Sequence, residues 1–584
     1  MTSNSLQDAI GRVDEIISIA GAPGVSFAII KNGHTAGTYH KGFRDVKEGL
    51  QPDDETRYNI NSLTKSFVSS LVGIEVYNHL EGLDWSTPIK TLIPSFVAVT
   101  SEIESKCTIV DLLSHRWGAS GFDEFWFGCD NTIFLPRSET LTTAGTLKPA
   151  QPFRTSFEYN NWGYEIVAQL IEKLTGQNLS SLLEENLFIP LDMQRTSLIY
   201  NASDRNEAKA YGVLHDNSPV EIVPPFIGDS LMMKAAGGIK ASIIDLLIYY
   251  KAFMKAVVAQ YNNSADSTVN SPFKHCRTTT SHHAQFIGSS PREQGYGLGW
   301  ARAELPGQLG RISGNAGLID QPVAGKGGPS RLVLYHHGLM PGSTSAVLLV
   351  PELQSGIIVL QNSLPAIDTA DFIAQMLLEA LLVVPEPNDY VGLTRITHEK
   401  SVSHVDAVHK DLNASRILGT RPKPLGKYEG RYWNTVGTFF IDVVQYANVD
   451  NQPRLKMAMN GLPAQAYGLE HYHFDTFSWI MSYDEMVSRG RTTFYPAEYY
   501  LIEFQASSTD IDQLLWVADG NFPGTPVILS KEGTRPVLNT PGGWCPDLFY
   551  VQWGFAAIAL GLLLFVRKVI YPRTLKHRMR IPKG

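Results

Sequence analysis

The 584-residue chain has only four cysteines, Cys107, Cys129, Cys276 and Cys545, and no two of them stand in a C-x-x-C spacing. That speaks against a disulfide framework and against a cysteine zinc site, leaving buried free thiols as the expectation. A basic folded part is lacking as well. Residues 1–547 carry a net charge of −15, which opposes a phosphate backbone, so no nucleic-acid partner is expected. The N-terminus, MTSNSLQDAIGRVDEIISIAG, has acids and an amphipathic rhythm where a secretory leader needs a basic start and an unbroken apolar run. Secretion is therefore not expected, and the N-x-[ST] matches at Asn178, Asn201, Asn262 and Asn413 are read as unused. There is no internal repeat.

Hydrophobic residues, at 43%, supply ample material for a large core, and the length implies two or three folded units. One long apolar run is present. Leu548 to Val566 holds 19 residues without a charge, about 28 Å as a helix, close to the hydrocarbon thickness of a bilayer. Phe549, Tyr550 and Trp553 sit at one end, and the tail beyond it is purely basic, with a net charge of +7. We read 548–566 as a single membrane anchor or membrane-associated helix and 567–584 as a basic tail. The main domain is expected to be cytosolic, held at a membrane by this one segment. A helix buried against the protein or lying along a surface is the competing reading.

The stretch GVSFAIIKNGHTAGTYHKGFRD alternates apolar and polar residues around Asn32-Gly33, a strong hairpin signal. Far downstream, STSAVLLVPELQSGIIVLQNS (343–363) reads as two further strands, and 369–382 as an apolar-periodic helix. Strands at both ends of the first 380 residues, with helix-rich sequence between, predict an α+β fold: an antiparallel sheet flanked by helices plus a helical subdomain. Residues 259–293 are polar and aperiodic and are expected to form a mobile surface insertion. After a linker over 385–424 that can include a helix, short β runs recur across 425–540, predicting a small all-β barrel ahead of the C-terminal hydrophobic helix.

Three short motifs carry chemistry. Ser62-x-x-Lys65 opens an amphipathic pattern through Phe67, Leu71, Ile74 and Leu80, so Lys65 shares a helix face with Ser62 near a helix N-terminus. That suits an activated nucleophile, and equally a polar helix start. The same spacing at Ser271 and Lys274 has no apolar helix behind it. Tyr159-Asn160-Asn161 precedes a second buried helix and reads either as a cleft-facing triplet or as a helix cap. His336-His337-Gly338 lies just before the closing strands, with Gly338 leaving room for a substrate along the strand backbone. Near neutral pH both histidines are expected to be mostly uncharged. His471 and His473 alternate along a strand with no carboxylate beside them, so no metal is expected.

In order and spacing, these motifs resemble the serine β-lactamase and penicillin-binding-protein superfamily. The class C β-lactamase-related branch is the nearest, with its esterases, D,D-peptidases, D-aminopeptidases and a fungal statin transesterase. TIVDLLSHRWGASG, LFIPLDMQRTSL, AAGGIKASIIDLLIY, GYGLGW and LLVPELQSGIIVLQNS resemble further segments of that branch, and the likeness covers about residues 8–383. The resemblance implies a catalytic domain over 1–384. It implies Ser62 as the acylated nucleophile, Lys65 and Tyr159 as its proton relay, and Asn161, His336 and Gly338 at the substrate. The backbone N–H groups of Ser62 and Leu339 would form the oxyanion hole, and no cofactor is implied. The sequence departs from the pattern at Asn160, at Trp117 and in the His336-His337 pair. A histidine in place of the third-motif lysine is a weaker carboxylate anchor, so an ester, thioester or small peptide is expected as substrate rather than an antibiotic.

Tyr428-Glu429-Gly430-Arg431-Tyr432 resembles the opening of the lipocalin-like domain attached to some members, and such a domain makes a homo-oligomer possible. Two alternatives stand beside the hydrolase: an acyltransferase of secondary metabolism using the same site, and a non-catalytic scaffold of the same fold.

Overall fold

A computed structural model describes residues 4–533, apart from 81, 200, 202, 289, 508 and 520–523. Its first part is built on an eight-stranded antiparallel sheet. In chain order the strands are β1 (Gly24–Lys31), β2 (His34–Gly42), β3 (Ala284–Gln285), β4 (Gln294–Tyr296), β5 (Ala301–Leu305), β6 (Arg331–Met340), β7 (Ser343–Val350) and β8 (Ser355–Gln361). They lie in the order β2-β1-β8-β7-β6-β5-β4-β3, so the opening hairpin pairs with the late strand β8 and forms one edge of the sheet. Asn32 and Gly33 both take left-handed φ, 52° and 79°, as a two-residue hairpin between right-twisted strands requires.

The simple alternation expected of the first strand gives way to burial on both faces. Val25, Phe27 and Ile29 face one hydrophobic cluster while Ala28 and Ile30 face the other. The reason is that helices cover both sides. On one side lie α1 (Asn4–Ala20) and, downstream, Thr369–Leu382. On the other lie α2 (Thr64–Tyr77), α3 (Asn161–Thr175) and α4 (Ile243–Asn262), the helical region that the sheet carries as an insertion. The helix Thr369–Leu382 is α5, capped by Asp368.

The polar stretch 259–293 is packed rather than a loose insertion. Phe273 is buried against Tyr249 and Phe253, and Gln260 donates to the Phe273 carbonyl at 3.0 Å. A few large side chains anchor a segment whose average composition is polar. The region read as a linker holds two helices, α6 (Tyr390–Val402) and α7 (His404–Ser415).

A closed antiparallel barrel follows, with strands β9 (Gly430–Trp433), β10 (Phe440–Ala447), β11 (Pro453–Met459), β12 (Ala466–His473), β13 (Thr476–Ser478), β14 (Leu501–Ala506), β15 (Ile511–Trp516) and β16 (Val527–Lys531). Tyr428, Tyr432, Met457, Phe477, Phe504 and Leu514 fill its interior, and closure removes every sheet edge. The excursion between β13 and β14 docks on the first part. His215 N–H donates to Asp484 at 2.7 Å, and Asp130 N–H to the Arg489 carbonyl at 2.7 Å.

Cys107, Cys129 and Cys276 are buried and unpaired. The apolar run 548–566 and its basic tail lie outside the described residues. Among the described residues no helix is long and apolar enough to cross a membrane.

Candidate active site

Ser62 stands on a single 3-10 turn, Asn61–Leu63, that runs directly into α2. Asn61 is held at φ 50°, a left-handed conformation that asparagine tolerates better than most residues. Its side chain donates to the carbonyl and the hydroxyl of Ser343, both at 3.0 Å, fixing the turn to β7. One helical turn on, Lys65 is fully buried and Nζ makes three hydrogen bonds: to Ser62 Oγ at 3.0 Å, Asn161 Oδ1 at 2.9 Å and the Ala236 carbonyl at 2.9 Å. Burial pushes this ammonium down to about 7, against an opposing pull from the Asp123 carboxylate.

The Tyr159 hydroxyl lies near Ser62, and its ring is 4.9 Å from Lys65 Nζ. Burial raises its phenol well above the ordinary value. The two readings of the 159–161 triplet divide between residues. Asn160 is the cap, accepting from Gly163 N–H at 3.2 Å and donating to the Ser120 carbonyl at 2.8 Å, whereas Asn161 turns inward to Lys65. Trp117, the other departure, is buried core.

On β6 the two-residue period sends adjacent histidines to opposite faces. His336 faces the site, its ring centroid 6.4 Å from that of Tyr159. Its Nδ1 donates to the His337 carbonyl at 2.6 Å, since a carbonyl can only accept, and its Nε2 accepts from Tyr296 Oη at 2.8 Å. Burial holds this ring neutral, well below its ordinary value. The two histidines of the expected neutral pair are pulled in opposite directions, and His337 is drawn toward its charged form. That ring points through the sheet to α5, where Nε2 meets Asp371 at 3.0 Å and the carboxylate raises its proton affinity despite full burial.

Gly338 has a purpose other than room for substrate. A Cβ there would stand 2.4 Å from Ser345 Oγ, 2.5 Å from the Ile60 carbonyl and 2.9 Å from Asn61 Cβ. The missing side chain lets β6 press against the turn Asn61–Leu63, and Leu339 follows on that strand, paired with Thr344. Ser271, by contrast, is a loop residue whose carbonyl accepts from Lys274 at 3.4 Å.

Several residues at the site carry no motif. Asp123, which keeps solvent access, takes hydrogen bonds from Asn161 Nδ2 at 3.4 Å and Trp126 Nε1 at 2.9 Å. Desolvation by the protein crowded around it, with Asp519 and Glu124 nearby, lifts its carboxyl to about 7. Glu158 is likewise lifted to about 7 by burial and by Asp519. Asp519 comes from the barrel region and accepts from Phe122 N–H at 3.2 Å. His115, in the SHRWGASG segment, accepts from Asn160 N–H at 3.0 Å and stacks on Tyr159 at 4.4 Å. Tyr296, in GYGLGW, occupies His336. The segments containing His115 and Tyr296 were recognisable in the sequence, but Asp123 and Asp519 reach the site only through the fold.

A sequence model of the Beta-lactamase family matches residues 11–381. The chain is 25% identical over 526 residues to unguisins hydrolase ungD of Aspergillus violaceofuscus, covering 84% of each protein. It is 26% identical over 236 residues to a D-aminopeptidase of Brucella ovis, covering 39% of this chain and 42% of that one. Among solved structures it resembles the octameric penicillin-binding protein homologue from Pyrococcus abyssi, with a TM-score of 0.50 and 20% identity over 90% of this chain and 100% of that one.

Proposed function

The chain belongs to the Beta-lactamase family and is a serine hydrolase, and on that premise we propose that it carries its acyl group on Ser62 and cleaves small peptide amides or esters. The hydrogen-bond chain from Asn161 through Lys65 to Ser62 carries this reading. Lys65, with its ammonium near 7, is partly neutral at physiological pH and can accept the Ser62 proton. Tyr159 is too weak an acid to serve as a phenolate, because burial raises it further. The division of labour follows. Lys65 takes the proton as Ser62 Oγ attacks the carbonyl carbon, and as the C–N or C–O bond breaks that proton returns to the departing amine or alcohol through the Tyr159 hydroxyl, which gains one proton as it gives one. Water then attacks the acyl-enzyme, Lys65 taking its proton and returning it to Ser62 Oγ as the ester bond to the serine breaks. The backbone N–H groups of Ser62 and Leu339 stabilise the oxyanion, one such donor being worth about 2.7–4 kcal/mol of barrier.

The surroundings favour a substrate without an anchoring carboxylate. His336 has both ring nitrogens occupied and no charge to offer, while Asp123 and Glu158 add negative potential once ionised. The names of the relatives, an unguisins hydrolase and a D-aminopeptidase, support amide cleavage. The segment 548–566 would hold this activity at a membrane.

Intact-mass measurement of the full chain with activated esters, D-amino-acid amides and penicillins tests the proposal. An acyl adduct on Ser62 is expected with the first two, absent in Ser62→Ala. Turnover by Ser62→Ala at the wild-type rate would refute it.

A further inference from the structure

Arg491 lies on the excursion between β13 and β14 of the barrel, yet it is buried against the first part of the chain. Its Nη2 meets both oxygens of Glu124, at 3.1 and 3.3 Å, and its Nη1 donates to Tyr467 Oη at 3.1 Å. Tyr499 accepts from it as well, and Tyr495 Oη donates to Glu124 at 2.8 Å. Arginine and glutamate buried together in this way are costly unless nearly every donor and acceptor is met, and here the barrel supplies the guanidinium and three tyrosines to meet them. Such an arrangement fixes position.

What it fixes is the turn Asp123–Phe125. Phe122, at its head, is left-handed at φ 35° and its N–H is held by Asp519, so both ends of the turn are tied to the barrel region. Asp123, next to Glu124, faces Asn161, whose Oδ1 in turn holds Lys65. From Arg491 to the nucleophile there is thus one continuous line: Arg491, Glu124, the turn backbone, Asp123, Asn161, Lys65, Ser62.

We propose that Arg491 is a positioning residue for the acyl-transfer site: by pairing with Glu124 it keeps Asp123 against Asn161 and within electrostatic reach of Lys65. The barrel is then part of the active site's support rather than an appendage. The inference rests on the acyl-enzyme reading of Ser62.

Every charged or titratable group facing Lys65 enters the test. Asp123 favours its proton, His115 and His336 are neutral, and Tyr159 and Tyr164 present ring faces at 4.9 and 5.3 Å. Asp123 itself faces Asn161, Trp126, Glu124 and Asp519. If the turn moves away, Lys65 loses the carboxylate that helps hold its proton, and the acid limb of kcat moves to lower pH. Glu124→Gln discriminates this from simple charge loss. Removing the Glu124 charge with the turn in place would ionise Asp123 more readily and move the limb upward.

The experiment measures kcat, KM and their pH dependence, with melting temperature, for full-length Arg491→Met, Arg491→Lys and Glu124→Gln. Expected are a fall in kcat of about tenfold or more with KM little changed, an acid limb lower by about one pH unit, and partial recovery in Arg491→Lys. A folded Glu124→Gln enzyme with wild-type kcat, or with its limb moved upward, overturns the proposal. Should Arg491→Met and Glu124→Gln fail to fold, Arg491→Lys is read by the same criteria, because it keeps the charge and loses only the fork. Failure of the wild-type chain to acylate at Ser62 would instead sink the acyl-enzyme reading.

Discussion

His336 Nδ1 donates to the carbonyl of His337 at 2.6 Å, while the His337 ring passes to the opposite face of the sheet and meets Asp371 at 3.0 Å. One histidine is held neutral beside Ser62, and the other is drawn toward its charged form by Asp371 in the core.

Their separation predicts a pH-dependent stability. The pair is buried, and Asp371 also accepts from Gln375 at 2.6 Å and Asn315 at 3.1 Å. His337→Gln strands the carboxylate, at a cost of about 3–5 kcal/mol. His337 has a raised folded value, so its contribution is full below the unfolded value of about 6.5 and is lost as pH rises through the raised one. Asp371 is lowered, so its share is present above about 3.9 and is lost as pH falls through the lowered value. Denaturant unfolding is therefore expected to show the widest gap between wild type and variant at about pH 4–6.5, shrinking in alkali. An equal gap at pH 5.5 and pH 9 would contradict this.

Lys65 sets the activity profile. Its ammonium lies near 7, so kcat should rise with pH through about 7 as the neutral amine becomes available. Lys65→Ala should lower acylation by about 10²–10⁴-fold and abolish that limb, leaving melting temperature within a few degrees. Stopped-flow acylation with an activated ester across pH 5.5–9 measures both. A limb that persists in Lys65→Ala would assign the proton transfer elsewhere.

Asn161 ties Lys65 to Asp123, and two substitutions separate its functions. Asn161→Ala removes the acceptor at 2.9 Å from Nζ and the amide facing Asp123, and kcat should fall about 10–100-fold. Asn161→Asp keeps the acceptor but adds a carboxylate beside Lys65, so the acid limb should move to higher pH, the ammonium now being better stabilised. A downward shift in Asn161→Asp would show that the new carboxyl is protonated or turned away.

The elements legible in the sequence are those specified locally. The Asn32-Gly33 hairpin, the α5 period and the Ser62-to-Lys65 helix face each depend on residues a few positions apart, and each forms as read. The opposed directions of His336 and His337 follow from a strand's period of two, but Asp371 as the partner does not, because it lies on a helix that packs only once the sheet exists. Asp123 and Arg491 were silent for the same reason. Neither sits in a recognisable spacing, and they meet through Glu124 across 367 positions of chain. Average polarity also hides the packing over 259–293, where a few buried side chains, Phe273 and Phe286 among them, anchor the segment.

Gly338→Ala joins the strand geometry to the chemistry. The added Cβ would meet Ser345 Oγ, which can rotate, and the Ile60 carbonyl, which cannot because it is backbone immediately before the nucleophile turn. β6 must therefore retreat from Asn61–Leu63 by several tenths of an ångström, carrying Leu339 with it. Overpacking of this kind costs about 1–3 kcal/mol of stability, whereas a displacement approaching 1 Å at the reacting centre costs about 10²-fold in rate. The expected result is a folded enzyme with a modestly lower melting temperature and a much lower kcat. Adding Ser345→Gly relieves the hydroxyl but not the carbonyl, so the double variant should recover stability more than activity. Wild-type kcat in Gly338→Ala would mean that the strand's approach to Ser62 has no part in catalysis.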